Sequence, residues 1–238
     1  WYFAEAFFYR RLLEAVRYFQ PGMWQGHDPF QAQKRRQMEG LGGALHLVAD
    51  LMPGLPASPP EAAQALLYAS LWGNRLDLSN RGVLTGAALE AGRPTDLLID
   101  DSAGVIALLT TGTPHRRIDF VNDNAGPEAA FDLLLADLML EQGWAERVRM
   151  HLKPYPFFVS DAMIKDVREL IARLEGEHER LSHAVGDRLA GRLEMGQLEL
   201  VDHPFWTSSY CFTDMPEDLR HTLAEADLVI LKGDVNYR

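Results

Sequence analysis

From about residue 92 onward the sequence alternates short apolar runs with longer stretches of helical periodicity, and no other feature constrains the fold as strongly. The runs at 96–100, 117–121, 148–152, 197–201 and 228–231 each contain Leu, Ile or Val. Strands buried on both faces read as such continuous apolar runs, whereas half-exposed strands alternate. Between most of them lie helices. The stretch 128–142 carries Phe131, Leu134, Leu135, Leu138 and Met139 on one stripe, and 160–174 and 216–226 form two more. The pattern predicts an α/β fold: a three-layer α/β/α sandwich around a mainly parallel, Rossmann-like sheet.

The first third reads differently. Phe3, Phe7, Leu12, Val16 and Phe19 recur at helical spacing among charged residues, which predicts an amphipathic helix that Pro21-Gly22 ends. The aromatics Trp1, Tyr2, Phe3, Phe7, Phe8 and Tyr9 read as its packing face. Residues 23–57 are broken by Gly and Pro, with helical patches between. Ser58-Pro59-Pro60-Glu61 opens a helix that runs to Trp72, since Pro is tolerated in a first turn and an acidic residue there suits the helix dipole. The expected organisation is a mostly helical N-terminal subdomain, 1–91, followed by an α/β domain, 92–238. The chain opens without Met inside a helical pattern and stops just after a strand, so it reads as a piece of something longer.

With 23 Lys+Arg against 34 Asp+Glu, the formal charge is −11 and the longest basic block is Lys34-Arg35-Arg36. Such a balance repels a polynucleotide backbone, so a nucleic-acid partner is not expected. No apolar run approaches the length that crosses a bilayer, which argues against a membrane partner. Trp1-Tyr2-Phe3-Ala4-Glu5 lacks the start of a signal peptide. Cys211, the sole cysteine, allows no intramolecular disulfide and is expected to be at least partly buried. Together these predict a cytoplasmic protein.

In an open α/β sheet, ligands gather beyond the carboxyl ends of the strands. The residues there are acidic and amidic: Asn122-Asp123-Asn124-Ala125-Gly126-Pro127-Glu128 after the second run, a proline-interrupted stretch leading to Ser160-Asp161 after the third, and Lys232-Gly233-Asp234 after the last. The prolines bar a helix until about Ser160, so Asp161 is expected at a helix start, as are Asp123 and Asn124. Carboxylate and amide oxygens suit a hard divalent cation, and helix N-termini, Lys and Arg suit a phosphate. Each of these side chains could equally do no more than cap a helix. If the sheet is parallel, however, the three segments share one rim, and a metal-assisted phosphoryl site becomes the sharper expectation.

The phrases Leu71-Trp72-Gly73-Asn74-Arg75-Leu76-Asp77-Leu78-Ser79, Asp123-Asn124-Ala125-Gly126-Pro127-Glu128, Pro156-Phe157-Phe158-Val159-Ser160-Asp161 and Lys232-Gly233-Asp234-Val235-Asn236-Tyr237-Arg238 closely resemble the damage-control phosphatase family, formerly a domain of unknown function numbered eighty-nine. Within it the phrases resemble the acidic-residue methyltransferase-like subfamily, and Glu5-Ala6-Phe7-Phe8-Tyr9-Arg10-Arg11 resembles the N-terminal helix of that branch. The resemblance implies a metal-dependent hydrolase that removes phosphate from small phosphorylated metabolites, including sugar phosphates such as fructose 1-phosphate. Mn²⁺, Co²⁺, Ni²⁺ or Mg²⁺ would be the cation. By motif match, Asp123, Asn124 and Asp161 would hold it and carry catalysis. Asp234, Val235, Asn236, Tyr237 and Arg238 would contact substrate, with Asn74 and Glu128 in support near the site and Lys153 as a weaker match. Pro127 and Phe157 stand where the family often has Phe and Trp. The sequence also stops before the Arg-Thr-x-Lys motif whose Lys is expected to bind phosphate in this subfamily.

Two other readings come from different classes. One is an S-adenosylmethionine-dependent protein carboxyl methyltransferase, although Leu98-Ile99-Asp100-Asp101-Ser102-Ala103-Gly104 offers a single glycine where a cofactor loop would need several. The other is a non-catalytic sugar-phosphate binding protein. The absence of an Asp-x-Asp-x-Thr order favours direct attack by water over an aspartyl-phosphate. The eight histidines lack Cys or His partners at zinc spacing and read as exposed or core residues, and Phe205-Trp206 reads as core or pocket wall.

Overall fold

The computed structural model describes residues 1–39, 43–72 and 97–237. The described N-terminal part is helical: α1 (Tyr2–Ala15), α2 (Gln31–Glu39), α3 (Ala44–Leu51) and α4 (Pro59–Trp72). Then α5 (Ser102–Thr110) leads into β1 (Ile118–Val121), α6 (Pro127–Glu141), β2 (Val148–Leu152), α7 (Ile164–Glu175), α8 (Arg180–Glu194), β3 (Leu198–Asp202), α9 (Glu217–Ala224) and β4 (Leu228–Leu231). The expected boundary between residues 91 and 92 lies outside the described residues.

The sheet is all parallel, in the order β3-β2-β1-β4. Ile118 is level with both Val148 and Leu228, and Val148 is level with Leu198. Strands that begin at one level and run the same way end on one rim, so the segments after Val121, Leu152 and Leu231 emerge side by side. The chain winds outward from β1 to β3 and then returns to place β4 on the other side of β1. That reversal makes the β1–β4 gap the topological switch point, where open α/β sheets form their crevice.

Strand periodicity divides the core. Ile118, Phe120, Val148, Met150 and Leu152 face a layer built from α3, α4, α6, α7 and α8. Val121 faces Phe205, Trp206 and Leu219, with Val229 and Leu231 packed beside them. The apolar area removed from water on both faces is the main stabilising term. Helix α6 is buried around its whole circumference, and so are its acidic residues Glu128, Asp132 and Asp137. Such residues are tolerated inside only when paired; Asp137 accepts from Arg188 Nη2 at 2.7 Å and from Arg192 Nε at 2.8 Å.

Several expectations need correction. No strand forms in the described part of 96–100; residues 97–100 form a bend, with Leu98 and Ile99 exposed. The Asp100 carboxylate accepts the Ser102 N–H at 3.0 Å and so starts α5 instead. α7 begins at Ile164 rather than Ser160, because Asp166 reaches back to the Met163 N–H at 3.0 Å and fixes the helix start there. Cys211 is exposed. The aromatics of α1 do not all pack inward: Trp1, Phe3, Phe7 and Phe8 are exposed, while Tyr9 meets the rings of Phe30, Phe157 and Phe158. Among the described residues, no helix is long and apolar enough to cross a membrane.

Candidate metal centre

Two loops carry the expected ligands, and they pair with each other. The loop after β1 and the loop between β2 and α7 form a short antiparallel bridge between Asn124 and Asp161. Ala125 N–H donates to Ser160 O at 2.8 Å, and Ala162 N–H donates to Asp123 O at 2.7 Å. Residues 38 positions apart are thereby fixed in register, and Asp123, Asn124 and Asp161 come together at the rim. Asp161 is not at a helix start, as had been expected; the backbone bridge positions it. Phe158 and Val159, with φ of 43° and 64°, bend the second loop through the left-handed region just before Ser160. Non-glycine residues pay for that conformation, and such strain persists where surrounding contacts over-determine it.

The Asn124 amide knits the site. Its Nδ2 donates to Asp123 Oδ2 at 2.7 Å and to Glu128 Oε2 at 3.0 Å, and its Oδ1 accepts from Ser160 Oγ at 2.6 Å. Gly126, at φ 78°, then turns the chain into α6, and Gln37 of α2 lies so close that a Cβ there would sit 3.1 Å from the Gln37 Cβ. On the opposite wall, Gly233 has φ 81°, and a Cβ built on it would overlap the Asp123 carboxylate. The close approach of β4's exit to β1's exit therefore requires glycine.

Burial pushes the Asp123 carboxyl up to about 7, and repulsion from Asp161 adds to the effect; Lys153 and Lys232 oppose it. Burial also lifts Asp161 to about 6 against the pull of Lys153 and Lys34. Asp161 Oδ2 is buried without a hydrogen bond, its nearest cation being Lys153 Nζ at 3.4 Å. Two carboxylates held together above their ordinary range, with an orphaned oxygen, form a donor set that a hard cation would satisfy. Among the described residues no three His, Cys, Asp or Glu side chains gather at metal spacing; the set here is two carboxylates and an amide. The oxygen chemistry fits a divalent cation, with open positions left for water or substrate oxygens.

Two buried lysines balance these acids. Lys232 Nζ lies 3.0 Å from both Glu128 Oε1 and Asp132 Oδ1 and donates to Ser70 Oγ at 2.7 Å, which ties β4 to α6 and α4. Burial and the repulsion of Asp132 and Asp123 lift Glu128 to about 7, with Lys232 and the Asn124 amide opposing. Lys153 donates to Asn236 Oδ1 at 3.0 Å. Asn236 is fully buried, and its Nδ2 donates to Lys232 O at 2.7 Å and to Asn122 O at 3.2 Å. Its side chain thus clamps the final segment to the sheet. Asp234 and Tyr237 are exposed at the rim, and Val235 is half-buried. Arg238 and Asn74, both expected to support the substrate, lie outside the described residues.

Sequence reasoning missed Lys34, Ser70 and Asp132 as neighbours of the site. Only Asp132 left a trace, lying one helical turn after Glu128 on a helix otherwise apolar. His151 is a core residue, its Nε2–H donating to Asp119 Oδ2 at 3.0 Å on the sheet's other face.

The fold and the rim define a class: a doubly wound α/β protein whose switch point carries a cluster of oxygen donors. The chain belongs to the damage-control phosphatase ARMT1-like domain family, whose profile matches residues 1–238. It is 32% identical over 265 residues to damage-control phosphatase ARMT1 of Danio rerio, covering 100% of this chain and 58% of that protein. The Mus musculus protein of the same name is 32% identical over 260 residues, again across 58% of its length, and that of Homo sapiens is 30% identical over 264 residues, across 59%. The chain therefore spans under two thirds of these relatives. A crystal structure of a DUF89 family protein from Pyrococcus horikoshii shares the fold, with a TM-score of 0.63 at 18% identity, covering 99% of this chain and 68% of that one.

Proposed function

We propose that this chain carries the catalytic centre of a metal-dependent phosphatase acting on small phosphorylated metabolites, with sugar phosphates of the fructose 1-phosphate type as the substrate class, in the cytoplasm. The observation that carries the reading is the convergence of Asp123, Asn124 and Asp161 at the sheet's switch point, with an unsatisfied carboxylate oxygen between the two loops. Membership of a family whose relatives are named damage-control phosphatases supports it.

Asp123, Asn124 and Asp161 would hold Mn²⁺, Co²⁺, Ni²⁺ or Mg²⁺, which when bound would neutralise phosphate charge and lower the pKa of a coordinated water. The remaining work falls to the chain. Asn124, fixed by Ser160 and Glu128, holds the Asp123 carboxylate in place through its amide. Lys153 and Lys232 hold positive charge behind the acids, which favours a phosphate at the rim. The exposed Asp234 and Tyr237 would border the sugar end of the substrate. The methyltransferase reading has less support, since Gly126 is the sole glycine of the loop after β1.

The test is phosphate release by the complete protein from a panel of phosphometabolites, with and without each cation. Metal-stimulated hydrolysis is expected, and Asp123→Ala and Asp161→Ala should each abolish it while the protein stays folded. Full activity in either variant would remove the site assignment, and calorimetric binding of S-adenosylmethionine without Mn²⁺ binding would favour the methyltransferase.

A further inference from the structure

Helix α2 belongs to the N-terminal helical part, yet it touches both ligand-bearing loops. Gln37 packs on Gly126 of the first. Lys34, from the block Lys34-Arg35-Arg36, reaches the second. Arg35 and Arg36 are exposed, but Lys34 is 1% exposed. Its Nζ donates to Asp161 O at 2.8 Å and Asp166 Oδ2 at 2.7 Å and forms an ion pair with Asp28 Oδ2 at 3.4 Å. Lys165 closes the group, lying 2.8 Å from Asp28 Oδ2 and 3.2 Å from Asp166 Oδ1. Two lysines and two aspartates cancel in charge: Lys34, Asp28 and Asp166 are buried behind the Asp161 loop, and the partly exposed Lys165 covers them from the solvent side.

Stability alone does not account for this arrangement. A buried ion group is often no more stabilising than apolar side chains of the same volume, because desolvation offsets the Coulombic gain. What apolar packing could not supply is a grip on one carbonyl oxygen. We propose that Lys34 is a positioning residue of the metal centre: by holding the Asp161 carbonyl, it fixes the backbone from which the Asp161 carboxylate is aimed at the cation. Asp166 acts in the same direction, since the oxygen that accepts from Lys34 also accepts the Met163 N–H and so pins the end of the loop. Groups behind the ligands commonly set metal affinity by orienting them.

The proposal rests on the metal reading above, and the experiment separates the two. Lys34→Met alone strands two buried carboxylates and risks unfolding, so the informative variant is D28N/K34M/D166N, which removes the lysine and both charges together. Free Mn²⁺ in titrations of the complete protein is read by its electron paramagnetic resonance signal, and folding by a thermal melt. The triple variant should melt cooperatively and bind Mn²⁺ at least about tenfold more weakly. Glu169→Gln loosens the outer side of α2, where Glu169 meets Gln31 and Arg35, and should keep wild-type affinity. In the unsubstituted protein, Mn²⁺ should slow hydrogen exchange in α2 as well as in the two loops. Wild-type Mn²⁺ affinity in the triple variant, or protected loops with unchanged exchange in α2, would overturn the proposal. No Mn²⁺ uptake by the unsubstituted protein would instead overturn the metal reading, and this proposal with it.

Discussion

Gly233 backs directly onto the carboxylate of Asp123, so closely that a methyl group on its Cα would occupy the same space. The contact spans the switch point, joining the exit of β4 to the exit of β1, and it explains why a turn residue 110 positions away belongs to the site. Gly233→Ala should therefore fail twice. At φ 81° and ψ 144° Gly233 sits in a region that is essentially glycine's alone, which costs a residue with a Cβ about 1–3 kcal/mol, and the new methyl must displace Asp123. Urea unfolding should show the loss of stability, and calorimetry should show Mn²⁺ binding weakened as severely as in Asp123→Asn. Unaltered Mn²⁺ binding would mean that Asp123 need not hold its present position.

The repulsion between Asp123 and Asp161 makes a different prediction for the metal-free protein. Replacing one of two buried like charges with a neutral amide relieves a cost that only a cation would otherwise offset. Asp123→Asn should melt a few degrees higher than wild type without metal. With Mn²⁺ at a hundred times its dissociation constant, wild type should gain about 2.7 kcal/mol, or roughly 5–10 °C for a chain of this size. The variant should gain nothing. Differential scanning calorimetry with and without the cation reads both effects.

Asp28 sets part of the acid limb of stability. Burial pushes its carboxyl up, but Lys34, Lys165 and the Phe30 N–H together hold it below the ordinary 3.8. A carboxyl lowered in the folded state contributes stability at pH above its unfolded value and loses it as pH falls through the folded value. Asp28→Asn should cost about 3 kcal/mol at neutral pH, since it leaves Lys34 short of a partner. Its stability should then fall less steeply than that of wild type below about pH 4. Unfolding free energies measured at a series of acidic pH values compare the two slopes.

Val159 stores strain next to the site. A β-branched residue at φ 64° is an outlier, whereas Asn enters the left-handed region several times more readily. Val159→Asn should raise stability by about 1 kcal/mol in urea unfolding and leave Mn²⁺ affinity unchanged. A loss of stability would show that the Val159 side chain packs more favourably than its backbone is strained.

Much of the architecture was legible because it follows from local periodicity. The runs around Ile118, Val148, Leu198 and Leu228 could form little other than parallel strands, the central two buried and the outer two half-buried, and Pro127 after Gly126 could only open a helix. The run at 96–100 misled because its apolar residues lie beside Asp100 and Ser102, which start a helix by a hydrogen bond that periodicity does not register. Helix α8 leaves a weaker periodic signal than α6, since its apolar spacing is diluted by the arginines that reach Asp137.

The sequence by itself determined which side chains were available at the strand ends, and hence that oxygen donors rather than thiols or imidazoles crowd that rim. Only the tertiary structure decided that β4 returns beside β1, that Asn124 bridges to Asp161, and that a lysine from α2 lies buried under both. Strand order and loop pairing are set by which surfaces bury each other across the whole chain. A window of neighbouring residues carries no record of contacts made 127 or 162 positions away, as at Lys34 and Lys232.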